Sequence, residues 1–146
     1  MKVKISPWRV IGTYGIVALI TGAVFYTIPG LTFPPTLSHY VIMGAWLIST
    51  VIFIILSLKN NYYIIEKYRL VYHRLNKDMF YEYKSILYVD EVWSKKNKTL
   101  LFYTDLGHAR YLPFDRDGMI YEKVMQRAKN LISKEEYQAR FPKVKM

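Results

Sequence analysis

The stretch from Val10 to Leu58 contains no Lys, Arg, Asp or Glu. All 11 acidic residues and 18 of the 21 basic residues lie from Lys59 onward. The surface of a soluble domain is rich in charged residues, so a soluble segment of this length would be expected to contain several. The charge distribution therefore predicts a membrane part, residues 1–58, followed by an aqueous domain, residues 59–146.

Two apolar segments are predicted to be membrane-spanning helices, at about residues 10–28 and 40–58. Each has about 19 residues, which nearly cross the ~30 Å hydrocarbon layer at a rise of ~1.5 Å per residue. The intervening "PGLTFPPTLSH" contains three prolines and a glycine and is predicted to form a turn. A cleaved signal peptide would also begin like "MKVK", but no clear A-x-A site follows, so the pattern favours an uncleaved helical hairpin.

Basic residues flank the predicted hairpin at both ends and are absent from its connecting loop. They are Lys2, Lys4 and Arg9 on one side and Lys59, Lys67 and Arg69 on the other. By the positive-inside rule, this distribution predicts a multi-pass protein of the cell membrane with both termini and the domain in the cytoplasm.

Small residues recur at close helical spacing within both spans. They are Gly15, Ala18 and Gly22 in the first span, and Ala45 and Ser49 in the second. Such residues allow helix backbones to approach closely, either within the hairpin or against another membrane protein. No ionisable residue lies mid-span, which disfavours a proton relay or an ion pathway.

The composition after residue 61 favours β-strands. Tyr, Ile, Val and Phe dominate, and six short strands are predicted between Tyr62 and Phe114, the last ending at Pro113 near a sheet edge. Turns are predicted at "SKKNK" and at "DLG", residues 105–107, where Gly suits the left-handed position of a three-residue hairpin loop. The spacing of these turns predicts a small antiparallel sandwich or barrel.

The hydrophobic period then changes from strand-like to helical. The segment "DRDGMIYEKVMQRAKNLI", residues 115–132, is predicted to be an amphipathic helix with Asp115 or Asp117 as its N-cap. Ser133 and Glu136 form a capping-box pattern for a last short helix that ends near Pro142. The terminal "KVKM" is expected to be loose.

The order of these elements resembles that of bacterial PH-like (pleckstrin-homology-like) domain membrane proteins, in which a two-helix hairpin leads into the domain. The resemblance is carried by "YYIIEKYRLVYHRL", "YEYKSILYVDEV", "LLFYTDLGHARYLPF" and the closing helix. It implies a membrane α-helical hairpin plus an α+β, mainly antiparallel PH-like small barrel or sandwich capped by a C-terminal helix. Because these bacterial domains look like protein-contact modules, it also implies a protein partner.

The sequence contains no recognisable catalytic or metal-binding constellation. The absence of Cys excludes disulfides, thiolate zinc sites and Cys nucleophiles. His39, His73 and His108 are scattered without ligand spacing, and no glycine-rich phosphate loop occurs. We therefore predict no cofactor, no metal and no enzymatic activity.

Positive charge is the clearest candidate for a binding signal. Residues 59–146 contain 18 basic and 11 acidic residues, a net charge of +7. Near an anionic leaflet each well-placed cation contributes ~1 kcal/mol of attraction. The candidate contacts to a lipid headgroup or a partner are Lys59, Lys67, Arg69, Arg74, Lys95, Lys96 and Lys98. An ordinary solvated face with the positive-inside bias would show the same charges.

Three functions remain open from the sequence. The first is a non-enzymatic accessory or scaffold protein that holds another membrane or membrane-associated protein at the inner leaflet. The second is a module that recognises anionic lipid, and the third is a small membrane enzyme or a subunit of a membrane enzyme complex. Binding of nucleic acid by tyrosines on a basic sheet is disfavoured, because most of these tyrosines are needed to fill a small core.

Overall fold

The computed structural model describes residues 1–144, and the chain divides into two compact units. The first, the hairpin unit, is Pro7–Asn60. The second, the sheet unit, combines Met1–Ser6 with the residues from Asn61 onward. The sequence analysis grouped residues 1–6 with the hairpin, whereas the contacts within the chain group them with the sheets.

The hairpin unit consists of two long apolar helices, α1 (Pro7–Thr27) and α2 (Leu37–Asn60). Pro7 occupies the first turn of α1, where its missing N–H leaves no helix bond unmade. In the most apolar windows of α1 and α2, only 11% and 6% of the residues are buried. This exposure is unlike that of core helices in a soluble protein, and both helices are long and apolar enough to cross a membrane.

The sheet unit contains two separate antiparallel sheets. The first has the order β1 (Lys2–Lys4), β2 (Asn61–Ile65), β3 (Arg69–Arg74) and β4 (Lys77–Glu82). The second has the order β5 (Ile86–Val89), β6 (Thr99–Thr104) and β7 (Ala109–Pro113). The six strands predicted after the hairpin are confirmed, as is the left-handed Gly107 in the β6–β7 turn.

Strand β1 was not predicted, because two lysines on either side of one valine look like an ordinary basic flank. In the structure Lys2 lies opposite Ile64, and Val3 lies opposite Tyr63. The N-terminal amine of Met1 donates to the Ile65 carbonyl (3.0 Å), and the Ile65 N–H donates back to the Met1 carbonyl (2.8 Å). The first residues of the chain are therefore an integral edge strand of the first sheet.

The turn predicted at "SKKNK" is wrong, because Glu91–Asn97 form a helix, α3. The Asp90 carboxylate caps it by accepting from the Trp93 N–H (2.9 Å). Lys98 ends it in the left-handed conformation, with φ of 48°. The buried Ser94 hydroxyl accepts from the Leu101 N–H, which joins α3 to β6.

The helix predicted over residues 115–132 is shorter in the structure, where α4 is Met119–Arg127. Its N-cap is Gly118, neither Asp115 nor Asp117. The buried Asp115 nevertheless satisfies this end of the helix, because its carboxylate accepts from the N–H groups of Met119 (3.0 Å) and Ile120 (2.9 Å).

The chain makes a turn at Lys129 and Asn130 between α4 and the last helix, α5 (Lys134–Arg140). Within this segment the Ile132 N–H donates to the Leu87 carbonyl of β5 (2.8 Å), so the segment cannot continue the helix. The predicted capping box of Ser133 and Glu136 is confirmed at the start of α5.

Helix α5 covers one face of the second sheet. Tyr137 is fully buried there, packs against Tyr103 (ring centroids 5.5 Å apart) and donates to the Thr104 carbonyl. Val144 packs against the same cluster, so the expectation of a loose tail does not hold for that residue. The last two residues of that predicted tail, 145 and 146, lie outside the described residues.

Candidate functional site

The predicted small residues of the hairpin have different surroundings. A Cβ atom on Gly22 would lie 2.9 Å from the ring of Trp46, so this glycine allows α1 and α2 to approach closely. The Trp46 indole N–H donates to the Thr21 hydroxyl (3.2 Å) and holds the ring there. A Cβ atom on Gly15 would meet nothing within 4 Å, so Gly15 takes no part in this contact.

Three other predicted packing residues lie together on the surface of the hairpin. Ala18, Ala45 and Ser49 line an apolar groove with a volume of about 570 Å³. The Ser49 hydroxyl donates to the carbonyl of Ala45 in its own helix, so it offers no free donor to the groove. The small residues thus shape the surface of the hairpin as well as its interior.

The loop between the two helices is organised by His39. Its side chain is only 1% exposed. Nδ1 accepts from the Thr36 N–H (3.1 Å), and Nε2 donates to the Gly30 carbonyl (2.9 Å). These bonds satisfy both ring nitrogens and assign His39 a structural role, which the Pro-rich loop sequence did not signal.

In the sheet unit, a concave surface of about 620 Å³ gathers positive charge. We call it the basic groove. Five cationic side chains line it: Lys67, Arg69, Lys84, Arg127 and Lys129. Lys67 and Arg69 were candidates from the sequence. The other three were missed because they lie far from Lys67 in sequence, and only the fold brings them together.

The remaining predicted cations are not part of this groove. Arg74 lies at the opposite end of β3 from Arg69, ~17 Å away at ~3.3 Å per residue, and pairs in register with Lys77. Lys95 and Lys96 lie on α3, and Lys98 ends that helix. Lys59 lies in the last turn of α2, within the hairpin unit. The predicted set is therefore divided among several surfaces.

Helix α3 and strand β7 form a second surface, which we call the α3 face. Val92 is 81% exposed, and the half-exposed Tyr111 packs edge-on against Trp93 with ring centroids 5.4 Å apart. Beside them, the Tyr121 hydroxyl donates to the Glu91 carboxylate (2.8 Å), which holds the pKa of Glu91 below its usual range. This surface combines exposed apolar groups with a polar edge, as protein interfaces commonly do.

The histidine and carboxylate groups show no metal-binding arrangement within residues 1–144. His73 contacts Asp78 across the β3–β4 hairpin (2.5 Å) and stacks on Tyr62. This pair is a direct consequence of strand register, since the two residues lie opposite each other. Comparison of the chain with protein-family models, with curated proteins and with solved structures found no match.

The close approach of the helices at Gly22 can be tested by comparing alanine substitutions at Gly22 and Gly15. Gly22→Ala is expected to lower the stability of the protein by about 1–3 kcal/mol, because the Trp46 ring must move and its bond to Thr21 is strained. Gly15→Ala is expected to be neutral or slightly stabilising, because its methyl group enters open space. Thermal unfolding in detergent micelles measures both, and equal midpoints for the two variants would contradict the close approach at Gly22.

Proposed function

We propose that this protein is a membrane-anchored accessory or scaffold protein, whose hairpin spans the cell membrane and whose sheet unit binds a protein partner in the cytoplasm. One observation carries the proposal. Strand β1 precedes the hairpin, β2 follows it directly, and the two strands pair with each other. A hairpin whose two ends enter one sheet has to begin and end on the same side of a membrane.

The apolar surface of the hairpin supports insertion in a membrane. Leu19, Val41 and Ile48 are each more than 60% exposed, and they lie in a stretch, residues 10–58, that contains no charged residue. Exposing such side chains to water costs ~25 cal/mol per Å² of apolar surface, and a lipid environment removes that cost. Every backbone polar group within the spans can be satisfied inside a helix, as a membrane requires.

The basic flanks support a cytoplasmic sheet unit. Lys2 and Lys4 lie in β1, Lys59 lies in the last turn of α2, and the loop between the helices carries no Lys or Arg. The positive-inside rule places such flanks on the cytoplasmic side. Strand pairing adds that both flanks share one side, whichever side that is.

The order of elements supports a PH-like assignment for the sheet unit. Six antiparallel strands follow the hairpin, and helices α4 and α5 come last, as the resemblance to bacterial PH-like membrane proteins implies. The two sheets do not close into a barrel, so the assignment rests on order and pairing. A domain of this kind presents surfaces and loops for contact without needing catalytic groups.

The α3 face is the surface that best suits a protein partner. Val92 and Tyr111 expose apolar and aromatic area, and aromatic residues are enriched in protein interfaces. Helix α2 ends at Asn60 and β2 begins at Asn61, so no flexible linker separates the sheet unit from the hairpin. A partner bound to this face would be tethered to the hairpin.

The proposed topology predicts opposite labelling of two single-cysteine variants, which the native absence of cysteine makes simple. In intact bacterial spheroplasts, Thr32→Cys in the loop is expected to react with a membrane-impermeant maleimide. Lys96→Cys on α3 is expected to react only after permeabilisation. Labelling of Lys96→Cys in intact spheroplasts would contradict the cytoplasmic placement of the sheet unit.

The proposed partner contact predicts site-specific photo-crosslinking in native membranes. A photo-reactive residue at Val92 is expected to give one discrete protein adduct, and Tyr111→Ala is expected to reduce its yield severalfold by removing a neighbouring aromatic contact. The matched control is the same residue at Leu106, which is similarly exposed (74%) but lies in the β6–β7 turn. Equal adducts at both positions, or none at Val92, would contradict a specific partner surface.

A further inference from the structure

More cations line the basic groove than are paired with carboxylates of the protein. Of its five cations, Arg69 pairs with Glu66 (2.5 Å) and Lys84 pairs with Glu82 (3.0 Å). Lys67, Arg127 and Lys129 have no carboxylate within 4.0 Å in the described part of the chain. These three cations come from two different segments of the fold and line the same concavity.

The groove is held in shape by hydrogen bonds between the segments that form it. Arg127, at the end of α4, donates to the Glu66 carbonyl in the β2–β3 turn. The Asn130 side chain donates to the Lys84 carbonyl (2.9 Å), and the Tyr83 N–H donates to the Tyr68 carbonyl (3.1 Å). Preorganised donors lose less entropy on binding, so a ligand gains more from each contact.

The lining of the groove also includes Tyr83. Tyr83 is only 3% exposed, and burial raises the pKa of its hydroxyl, while the neighbouring Arg127 guanidinium acts in the opposite direction. The guanidinium of Arg127 lies over its ring, 5.7 Å from the centroid. This contact between Tyr83 and Arg127 helps to hold the guanidinium in place in the groove.

We propose that the basic groove binds a phosphate ester with at least two negative charges. The Arg127 guanidinium donates from Nη1 to the Glu66 carbonyl and keeps further N–H donors for phosphate oxygens, while Lys67 and Lys129 supply point charges at the rim. The volume of about 620 Å³ exceeds the needs of a single phosphate ion and leaves room for the group that carries it. A lipid headgroup and a soluble phosphate ester share this chemistry.

This inference goes beyond the proposed partner binding and does not depend on it. The groove lies at the β2–β3 turn and the end of α4, and none of its lining residues belongs to the α3 face. Loss of the α3 contact would leave the groove unchanged.

The test uses the full-length protein in a neutral maltoside detergent. The probes are short-chain phosphatidic acid, short-chain phosphatidylcholine and pyrophosphate, and binding is followed by the rise in unfolding midpoint and by titration. We expect saturable binding of phosphatidic acid, pyrophosphate or both, and none of phosphatidylcholine. Binding of phosphatidic acid without pyrophosphate identifies a lipid headgroup as the source, whereas binding of both identifies the phosphate group itself.

Two double variants with the same charge change locate the site. Lys67→Gln with Lys129→Gln removes two groove cations and is expected to weaken binding at least tenfold. Lys95→Gln with Lys96→Gln removes two cations from α3 and is expected to leave the affinity unchanged. Equal weakening in both variants would show that binding depends on the net charge of the protein and not on the groove. That result would overturn the proposal.

Two further results would also overturn it. One is the absence of saturable binding of either phosphate probe to the folded wild-type protein. The other is competition by a heptaglutamate peptide as strong as that of pyrophosphate, which would assign the groove to an acidic protein segment. Variants that fail to fold are recognised by their own unfolding transitions, and Lys67→Gln and Lys129→Gln singly then replace the double variant.

Discussion

The pairing of β1 with β2 is the interaction on which the rest of the account depends. A strand of only three residues, Lys2–Lys4, joins the edge of a sheet whose other strands begin after residue 60. The Met1 amine and carbonyl extend this pairing to Ile65, and the Lys2 ammonium lies 3.5 Å from the centre of the Tyr62 ring. Several weak contacts thereby hold the first residues of the chain in place.

Because of this pairing, both ends of the hairpin unit connect to adjacent strands of one sheet. The chain leaves the sheet after Lys4, passes through α1 and α2, and returns to the same sheet at Asn61. Movement of the hairpin ends apart therefore requires breaking strand hydrogen bonds. The α3 face and the basic groove both belong to the sheet unit that this pairing completes.

Much of the fold could be predicted from hydrophobic patterning. The uncharged stretch predicted the two helices, and alternating Tyr, Ile and Val predicted six strands, because both signals come from many residues acting together. The failures concern short elements with competing signals. Strand β1 has too few residues for a pattern. In α3, Val92 and Trp93 favour a strand, but the Asp90 side chain caps the first turn and stabilises a helix.

The candidate site was less predictable than the fold. Lys67 and Arg69 could be chosen from their local charge, but their partners Arg127 and Lys129 are distant in sequence and meet them only after the sheets have packed. Within the hairpin, spacing singled out Gly15 and Gly22 equally, and only the position of Trp46 distinguishes them. Long-range geometry of this kind is not encoded in any local pattern.

Engineered disulfide formation across β1 and β2 tests the central claim most directly. The chain has no native cysteine, and Lys2 lies opposite Ile64, where antiparallel Cα atoms are ~4.5–5.5 Å apart. Lys2→Cys with Ile64→Cys is expected to form a disulfide on mild oxidation in membranes. Lys2→Cys with Phe80→Cys, in the same row but three strands away (~14 Å), is expected to stay reduced. A reduced first pair, or equal oxidation of both pairs, would contradict the account.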